Sequence, residues 1–497
     1  MSHFLGIDSS TTATKALLLD EAGSIVSIGR STYDFDTPQP LWSEQDPGLW
    51  WTATKEAIAE ALGKADVPGS SVKGIGLTGQ MHGLVMLDDH GEVLRPAILW
   101  NDQRTQRECD EMREVIGEDE LIRITGNDAL TGFTAPKILW VQRNESEVFD
   151  RTAHVLLPKD YVRFKLTGEY AMDRAGGSGT ILFDLADRTW SDSLVQSLGI
   201  PRRWLPDTFE GTDVTGVVSE SAAAVTGLAA GTPVFGGGGD QAANGVGVGA
   251  IRQGVVAMSI GTSGVVFAPT DTPAVEPDGR LHAFCHAVPG MWHLMGVMLS
   301  AAGSFEWFRR AVAPTRSFVE LDDAAGEVPA GAGGLQFLPY LTGERTPHPD
   351  PLARGAFVGL TVRHDLRDMA RAVLEGVAFG LRDSLELVRS SASVEEVRAS
   401  GGGTASPLWL QIIADVMDLP VRVVGTPEAA AHGAAILAAT GARVFASVEE
   451  ATNAAVDMGE AVEPSSDAGF YDDGYAVYRE LYPALKTSFA SLSGLDG

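Results

Sequence analysis

The chain opens on short apolar segments separated by small polar residues. Phe4-Leu-Gly-Ile-Asp8, Lys15-Ala-Leu-Leu-Leu-Asp20 and Ile25-Val-Ser-Ile28 each read as a strand, with a serine/threonine loop and a Glu-Ala-Gly-Ser turn between them. The period then lengthens. Residues 46–62 predict an amphipathic helix, with Asp46 as its N-cap and Pro47 at the first helical position. Strand-like segments return at 72–77, 84–87 and 155–157, with helical patterns between them. Alternation of this kind argues for an α/β fold.

The opening pattern recurs later. Val255-Val-Ala-Met-Ser-Ile260 leads to Gly261-Thr-Ser-Gly264 and then Val265-Val-Phe267. Both copies are an apolar strand, a tight loop of small and hydroxyl residues, and a second apolar strand. The repeat distance, about half the chain, is too long for a solenoid. It predicts two related domains, residues 1–245 and 246–497, joined just after a glycine-rich segment; two unrelated hairpins are the plainer alternative. Downstream, residues 366–389 predict a long helix with Gly376 and Gly380 on one face for close packing. Ser400-Gly-Gly-Gly-Thr404 reads as a turn opening a helix at Ser406-Pro407, and 427–440 as an alanine-rich helix. The last 50 residues or so carry little signal.

Length and composition narrow the class. A chain of 497 residues is too long for one ordinary domain, and its 44% hydrophobic and 21% charged residues are those of a globular protein. No apolar run is long enough for a membrane span, the start does not read as a signal peptide, and two cysteines make no disulfide framework. A cytoplasmic location is the expectation. The formal charge of −29 argues against nucleic acid and anionic lipid as partners.

The candidate chemistry centres on Gly236-Gly-Gly-Gly-Asp240. Glycines allow close backbone approach, and a lone carboxylate after them reads as held at an opening, where it suits general-base work on a hydroxyl. No Gly-x4-Gly-Lys-Ser/Thr occurs, and Gly245-Val-Gly-Val-Gly lacks the helix a dinucleotide fingerprint needs. The two hairpin loops make a better phosphate cradle, with backbone amides and threonine hydroxyls as donors. Asp8, at the end of the first strand, could hold a hydrated Mg²⁺ or simply cap a turn. Gln80-Met-His-Gly83 and Trp100-Asn-Asp102 combine polar groups with apolar faces, as a polyol site requires. His282, Cys285 and His286 make a weak zinc pattern without an evident fourth ligand. Residues 337–348 read as a polar loop that closes over a ligand or braces two domains.

These segments converge on a known family. The chain resembles the FGGY carbohydrate kinases, and among them most closely the xylulokinases. Thr134-Ala-Pro-Lys-Ile-Leu-Trp-Val-Gln-Arg-Asn144 is similar to the family's first signature. Gly355-Ala-Phe-Val-Gly-Leu-Thr, continuing through Ala370-Arg-Ala-Val-Leu-Glu375, is similar to its second. Leu41-Trp-Ser-Glu-Gln-Asp-Pro, Gly79-Gln-Met-His-Gly, Arg95-Pro-Ala-Ile-Leu-Trp-Asn-Asp, Leu157-Pro-Lys-Asp-Tyr and Gly343-Glu-Arg-Thr-Pro-His resemble xylulokinase segments.

The resemblance implies two actin/hexokinase/Hsp70-like (ribonuclease H-like) domains with an interdomain cleft. It implies ATP and Mg²⁺, transfer of the γ-phosphoryl group to the 5-hydroxyl of D-xylulose, and a homodimer. Kinases of ribulose, glycerol or gluconate are the nearest alternatives, followed by a non-catalytic sugar- or ATP-binding protein. Asp240 matches the catalytic base, Met81 and His82 the sugar-contacting pair, and Asp102 a further sugar contact. Asp8, Ser10, Thr11 and Thr12, with Lys15 beside them, match the first phosphate motif. Gly261, Thr262 and Ser263 match the second, and Gly402 and Gly403 fall in the adenosine motif. The first loop departs from the family's frequent Asp-x-Gly-Thr: it reads Asp8-Ser9-Ser10-Thr11, which puts the fine geometry there in question.

Overall fold

The structure is a computed structural model that describes residues 2–495. Strands β1 (His3–Ser9), β2 (Ala13–Asp20) and β3 (Ile25–Thr32) form an antiparallel meander. Burial along nearly all of β1 and β2 explains their apolar runs. Helix α1 (Pro47–Ala65) is capped by the Asp46 carboxylate, which accepts from the Gly48 amide. Strand β4 (Val72–Gly79) then pairs with β1 in parallel. Helices α2 (Pro158–Thr167) and α3 (Arg174–Ser178), strands β5 (Val214–Val217) and β6 (Pro233–Gly239), and helix α4 (Asp240–Gly247) complete the elements that build the site. The first sheet runs β5-β6-β4-β1-β2-β3.

The second half repeats this plan. Strands β7 (Gly254–Ile260) and β8 (Gly264–Thr270) form the second hairpin, and β9 (His282–Cys285) and β10 (Trp292–Met298) extend its antiparallel side. Helices α5 (Ala302–Val312) and α6 (Leu366–Arg389) lead to strand β11 (Val394–Ser400), which pairs with β7 in parallel. Helix α7 (Pro407–Met417), strand β12 (Val421–Val424), helix α8 (Ala429–Gly441), strand β13 (Met458–Val462) and helix α9 (Ala468–Ser493) follow. The second sheet runs β9-β10-β8-β7-β11-β12-β13. Each sheet therefore has an antiparallel meander on one side of its first strand, and on the other side parallel strands closed by one antiparallel edge strand.

Helices α4 and α8 pack on one another, and α8 also lies across β1 and β4 of the first sheet. Backbones meet here without room for side chains. A Cβ on Gly6 would lie 1.8 Å from the Ala431 carbonyl oxygen, one on Gly76 1.9 Å from that of Ala434, and one on Gly433 1.9 Å from that of Ala243. The alanines of α8 thus mark a helix buried on every side.

The C-terminal region differs from its reading. Residues 448–497 hold β13 and the 26-residue α9. The buried stripe of α9 is Tyr471, Tyr475, Tyr478 and Tyr482, at helical spacing. Their hydroxyls hide the stripe from a hydropathy pattern. They also find partners inside: Tyr475 donates to Asp383 at 2.7 Å and Tyr471 to Glu375 at 2.8 Å.

Candidate active site

The four glycines before Asp240 are not a flexible mouth but the buried interior strand β6. Cβ atoms on them would meet neighbours on several sides: Gly236 at 2.1 Å from the Glu210 carbonyl, Gly237 at 1.8 Å from that of Leu77, and Gly239 at 2.7 Å from Met81 Cγ. Gly237 has φ +66°, and the pairing with β4 breaks into a bulge between Phe235 and Gly238. Only glycine tolerates both that angle and that crowding. Asp240 is the first residue of α4 and is half-buried.

Register brings Asp8 to the same edge. Asp8 and Gly238 both pair with Thr78, from opposite sides of β4. Asp240 emerges two residues beyond, at the carboxyl ends of these parallel strands, where open α/β sheets bind ligands. Burial pushes the Asp240 carboxyl up to about 7, with the charge of Asp8 adding to the shift and hydrogen bonds from Gln241 opposing it. Burial likewise pushes Asp8 up to about 6, opposed by Lys15. Asp8 Oδ1 is buried without a hydrogen-bond partner, while Oδ2 lies 3.8 Å from Lys15 Nζ.

Met81 is buried, and its side chain lies against Gly239 and Gly179. His82 sits next to it with φ +67°, its ring Nδ1 2.6 Å from the Gly179 carbonyl. A carbonyl only accepts, so Nδ1 carries the proton and Nε2 is left as an acceptor. The ring stacks edge-on against Phe133, and burial pushes its pKa down to about 3, so the imidazole stays neutral. Asp102 is engaged by protein donors. It is fully buried, accepts from the Ser43 amide at 2.6 Å, and holds the Arg104 guanidinium at 2.7–3.0 Å. Arg104 in turn lies over the Trp42 ring at 3.7 Å. In this conformation Asp102 braces the loop beside the pocket, its oxygens already occupied by protein donors.

The two hairpin loops are built alike. The carbonyls of Ser10, Thr11 and Thr12 accept from Tyr33 Oη, Gln45 Nε2 and the Tyr33 amide. Those of Gly261 and Thr262 accept from the amides of Ala302 and of Ala301 and Gly303, at the start of α5. With these carbonyls tied back, and the Ser10 and Gly261 amides spent within the turns, the donors that remain lie at the loop tips. Thr12, Thr262 and Ser263 are exposed at the tips, whereas the Ser10 hydroxyl donates to Ala13 and the Thr11 hydroxyl is engaged by Trp100. Gly402 is open, with nothing within 4 Å of a Cβ, but Gly403 packs against Ile260 at the base of the second loop. Lys15 is held by Glu428 at 2.5 Å.

Several residues around the site gain their partners only in the structure. Trp100, 44% exposed, donates from Nε1 to Thr11 Oγ1 at 2.9 Å and so joins a sugar-like motif to a phosphate loop. Gln80 and Gln45 continue that network at 3.4 Å. Their signal was adjacency to Met81 and to the Trp-Ser-Glu-Gln segment. Glu428 opens α8 with φ +51°, and Gly179 had no sequence signal at all. Among the described residues no group of three or more His, Cys, Asp or Glu could hold a metal ion. His282 pairs with Asn127 and His286 with the Ala250 carbonyl instead.

Comparison with known proteins gives these features a context. Residues 3–247 match the N-terminal domain of the FGGY family of carbohydrate kinases, and residues 256–442 match its C-terminal domain. A xylulose kinase of Escherichia coli is 44% identical over 414 residues, 83% of this chain and 84% of that protein. The crystal structure of a xyloylose kinase from Brucella ovis superposes with a TM-score of 0.91 at 40% identity, covering 98% of this chain and 99% of that one. A gluconate kinase structure from Lactobacillus acidophilus gives a TM-score of 0.93 at 28% identity, covering 99% of each chain. The two-domain α/β fold is thus that of sugar kinases of the actin-like ATPase type, and the chain belongs to the FGGY family of carbohydrate kinases.

Proposed function

We propose that this protein transfers the γ-phosphoryl group of ATP to the 5-hydroxyl of D-xylulose, with Asp240 as general base. The observation that carries this reading is the convergence of Asp240, Asp8 and the Met81–His82 pair on the ends of β6, β1 and β4. The neutral His82 ring offers Nε2 to a sugar hydroxyl, and Met81 offers an apolar wall. The exposed donors of Thr12, Thr262 and Ser263 serve the phosphates, and Gly402 leaves room for adenosine. Asp240 accepts the hydroxyl proton as the sugar oxygen bonds to the γ-phosphorus. The bond from that phosphorus to the β,γ-bridging oxygen breaks, and ADP leaves. Positioning and charge stabilisation supply most of the rate in such a transfer.

Asp8 fits a divalent cation. Its Oδ1 is buried without a partner, and burial and the Glu428 carboxylate disfavour its charge more than Lys15 favours it, which a second cation there would offset. Asp8 would hold Mg²⁺ together with the nucleotide, and the ion would neutralise phosphate charge. The reading includes work in the cytoplasm as a homodimer.

Asp240→Asn tests the central assignment. Sugar binding by calorimetry should persist while kcat falls by about 10²- to 10⁴-fold. A variant with near-full kcat overturns it. Substrate class is tested by rates on D-xylulose, D-ribulose, L-ribulose, glycerol and gluconate. Gluconate is the second reading, because a gluconate kinase superposes on this chain at a TM-score of 0.93.

A further inference from the structure

The Leu157-Pro-Lys-Asp-Tyr segment was singled out in the sequence and has no part in the chemistry above. It forms the start of α2, which packs on β4 and β5 and sends Arg163 to β6. Lys159, Asp160 and Arg163 of this helix and Asp173 before α3 are all essentially excluded from solvent, at 0–1% exposure. Lys159 bridges Asp160 at 2.6 Å and Asp173, and Arg163 reaches Asp160 at 3.4 Å. Two cations and two carboxylates thus neutralise one another inside the first half. Such clusters are weak sources of stability, because desolvation offsets most of the attraction. What this one does is better read from where Arg163 points.

Its guanidinium faces the bulge of β6. Nη1 donates to the Phe235 carbonyl at 2.8 Å and Nη2 to the Gly236 carbonyl at 2.7 Å. Nη1 also donates to Thr215 Oγ1, whose hydroxyl donates to the Val234 carbonyl at 3.0 Å. The regular ladder between β6 and β4 is interrupted between Phe235 and Gly238. Arg163 therefore takes up, with one rigid fork, two adjacent carbonyls at the break in the ladder. A lysine could not hold both in that geometry. Asp240 lies four residues beyond Gly236, with only glycines between. Beyond the bulge Gly238 and Gly239 pair again with β4 and Met81 packs on Gly239, so the clamp acts on the bulge from which these last glycines lead into Asp240.

We propose that Arg163 is a positioning residue for phosphoryl transfer: it clamps the β6 bulge and thereby fixes where the Asp240 carboxylate stands. The inference rests on the reading of Asp240 as the base. It assigns the buried charges of α2 to geometry of the site rather than to stability. Asp160 counters the charge of the guanidinium, Lys159 balances Asp160 and Asp173, and Asp173 ends the cluster by capping α3 at the Gly176 amide, 2.7 Å away.

The test uses the full-length protein. Arg163→Lys keeps the charge but loses the fork. It should melt within a few degrees of the parent, keep the KM for both substrates within about twofold, and lose kcat by about 10- to 100-fold. In the Asp240→Asn background the same change should lower the residual rate by less than twofold, because its effect passes through Asp240. Parental kcat in Arg163→Lys, or an equal loss in both backgrounds, overturns the proposal. Should Arg163→Lys fail to fold, Thr215→Val decides, since it removes one partner of the guanidinium. A folded Thr215→Val with reduced kcat and unchanged KM supports the clamp, and parental kcat overturns it. An active Asp240→Asn would instead sink the assignment of the base, a result distinct from an inert Arg163→Lys beside an inactive Asp240→Asn.

Discussion

Lys15 of β2 and Glu428, the residue that opens α8, form a 2.5 Å ion pair between the two halves of the chain. The same ammonium stands 3.8 Å from Asp8. As a cation on the strand after the first hairpin loop it is a candidate phosphate contact, for which Glu428 competes. Lys15→Met should raise the KM for ATP about fivefold, the loss of about one kcal/mol of charge interaction, and leave the sugar KM unchanged. Initial rates at varied ATP check this. An unchanged ATP KM would show that Lys15 only joins the halves.

The pH dependence of the rate follows from the same edge. With its carboxyl pushed up to about 7 by burial and by Asp8, Asp240 is protonated as pH falls through that value and cannot act as a base. The kcat should therefore drop on the acid side of about pH 7. Asp8→Asn removes the neighbouring charge, so the acid limb should move to lower pH, whatever the height of the plateau. A limb that stays in place means that some other group controls it.

Stability carries the opposite sign. A carboxyl raised to about 7 in the fold from its ordinary range near 4 costs stability when ionised. That cost is full above about pH 7 and fades as pH falls towards the unfolded value. Asp240→Asn should accordingly be more stable than the parent by about 1–3 kcal/mol at high pH and no more stable near pH 4. Urea midpoints across the range measure the difference, and a constant offset at all pH values contradicts it.

Two glycines separate packing from binding. Gly6→Ala puts a Cβ 1.8 Å from a backbone oxygen of α8, which cannot move without displacing the helix. It should cost about 3 kcal/mol or more, or prevent folding. Gly402→Ala meets nothing within 4 Å and should change stability by less than about 0.5 kcal/mol. If adenosine lies over Gly402, only the KM for ATP rises, and a parental ATP KM would remove Gly402 from the nucleotide site.

Local pattern determined a good deal of this protein. The strands of both hairpins, the capped helix after Asp46, the helix at Leu366–Arg389 and the helix after Ser406 follow from short-range periodicity and capping, which report burial directly. The glycine run and residue type drew attention to Asp240, Asp8 and the Met81–His82 pair, and the family resemblance supplied the roles expected of them. What the tertiary structure decided depends on partners far apart in the chain. Register across β4 sets Asp8 beside Asp240, 232 positions away in sequence. The Gly179 carbonyl chooses the tautomer of His82, Arg104 and Ser43 take up Asp102, and a tyrosine stripe folds the final helix. Periodicity records which face of an element is buried. It holds no record of what lies opposite, and catalysis depends on what lies opposite.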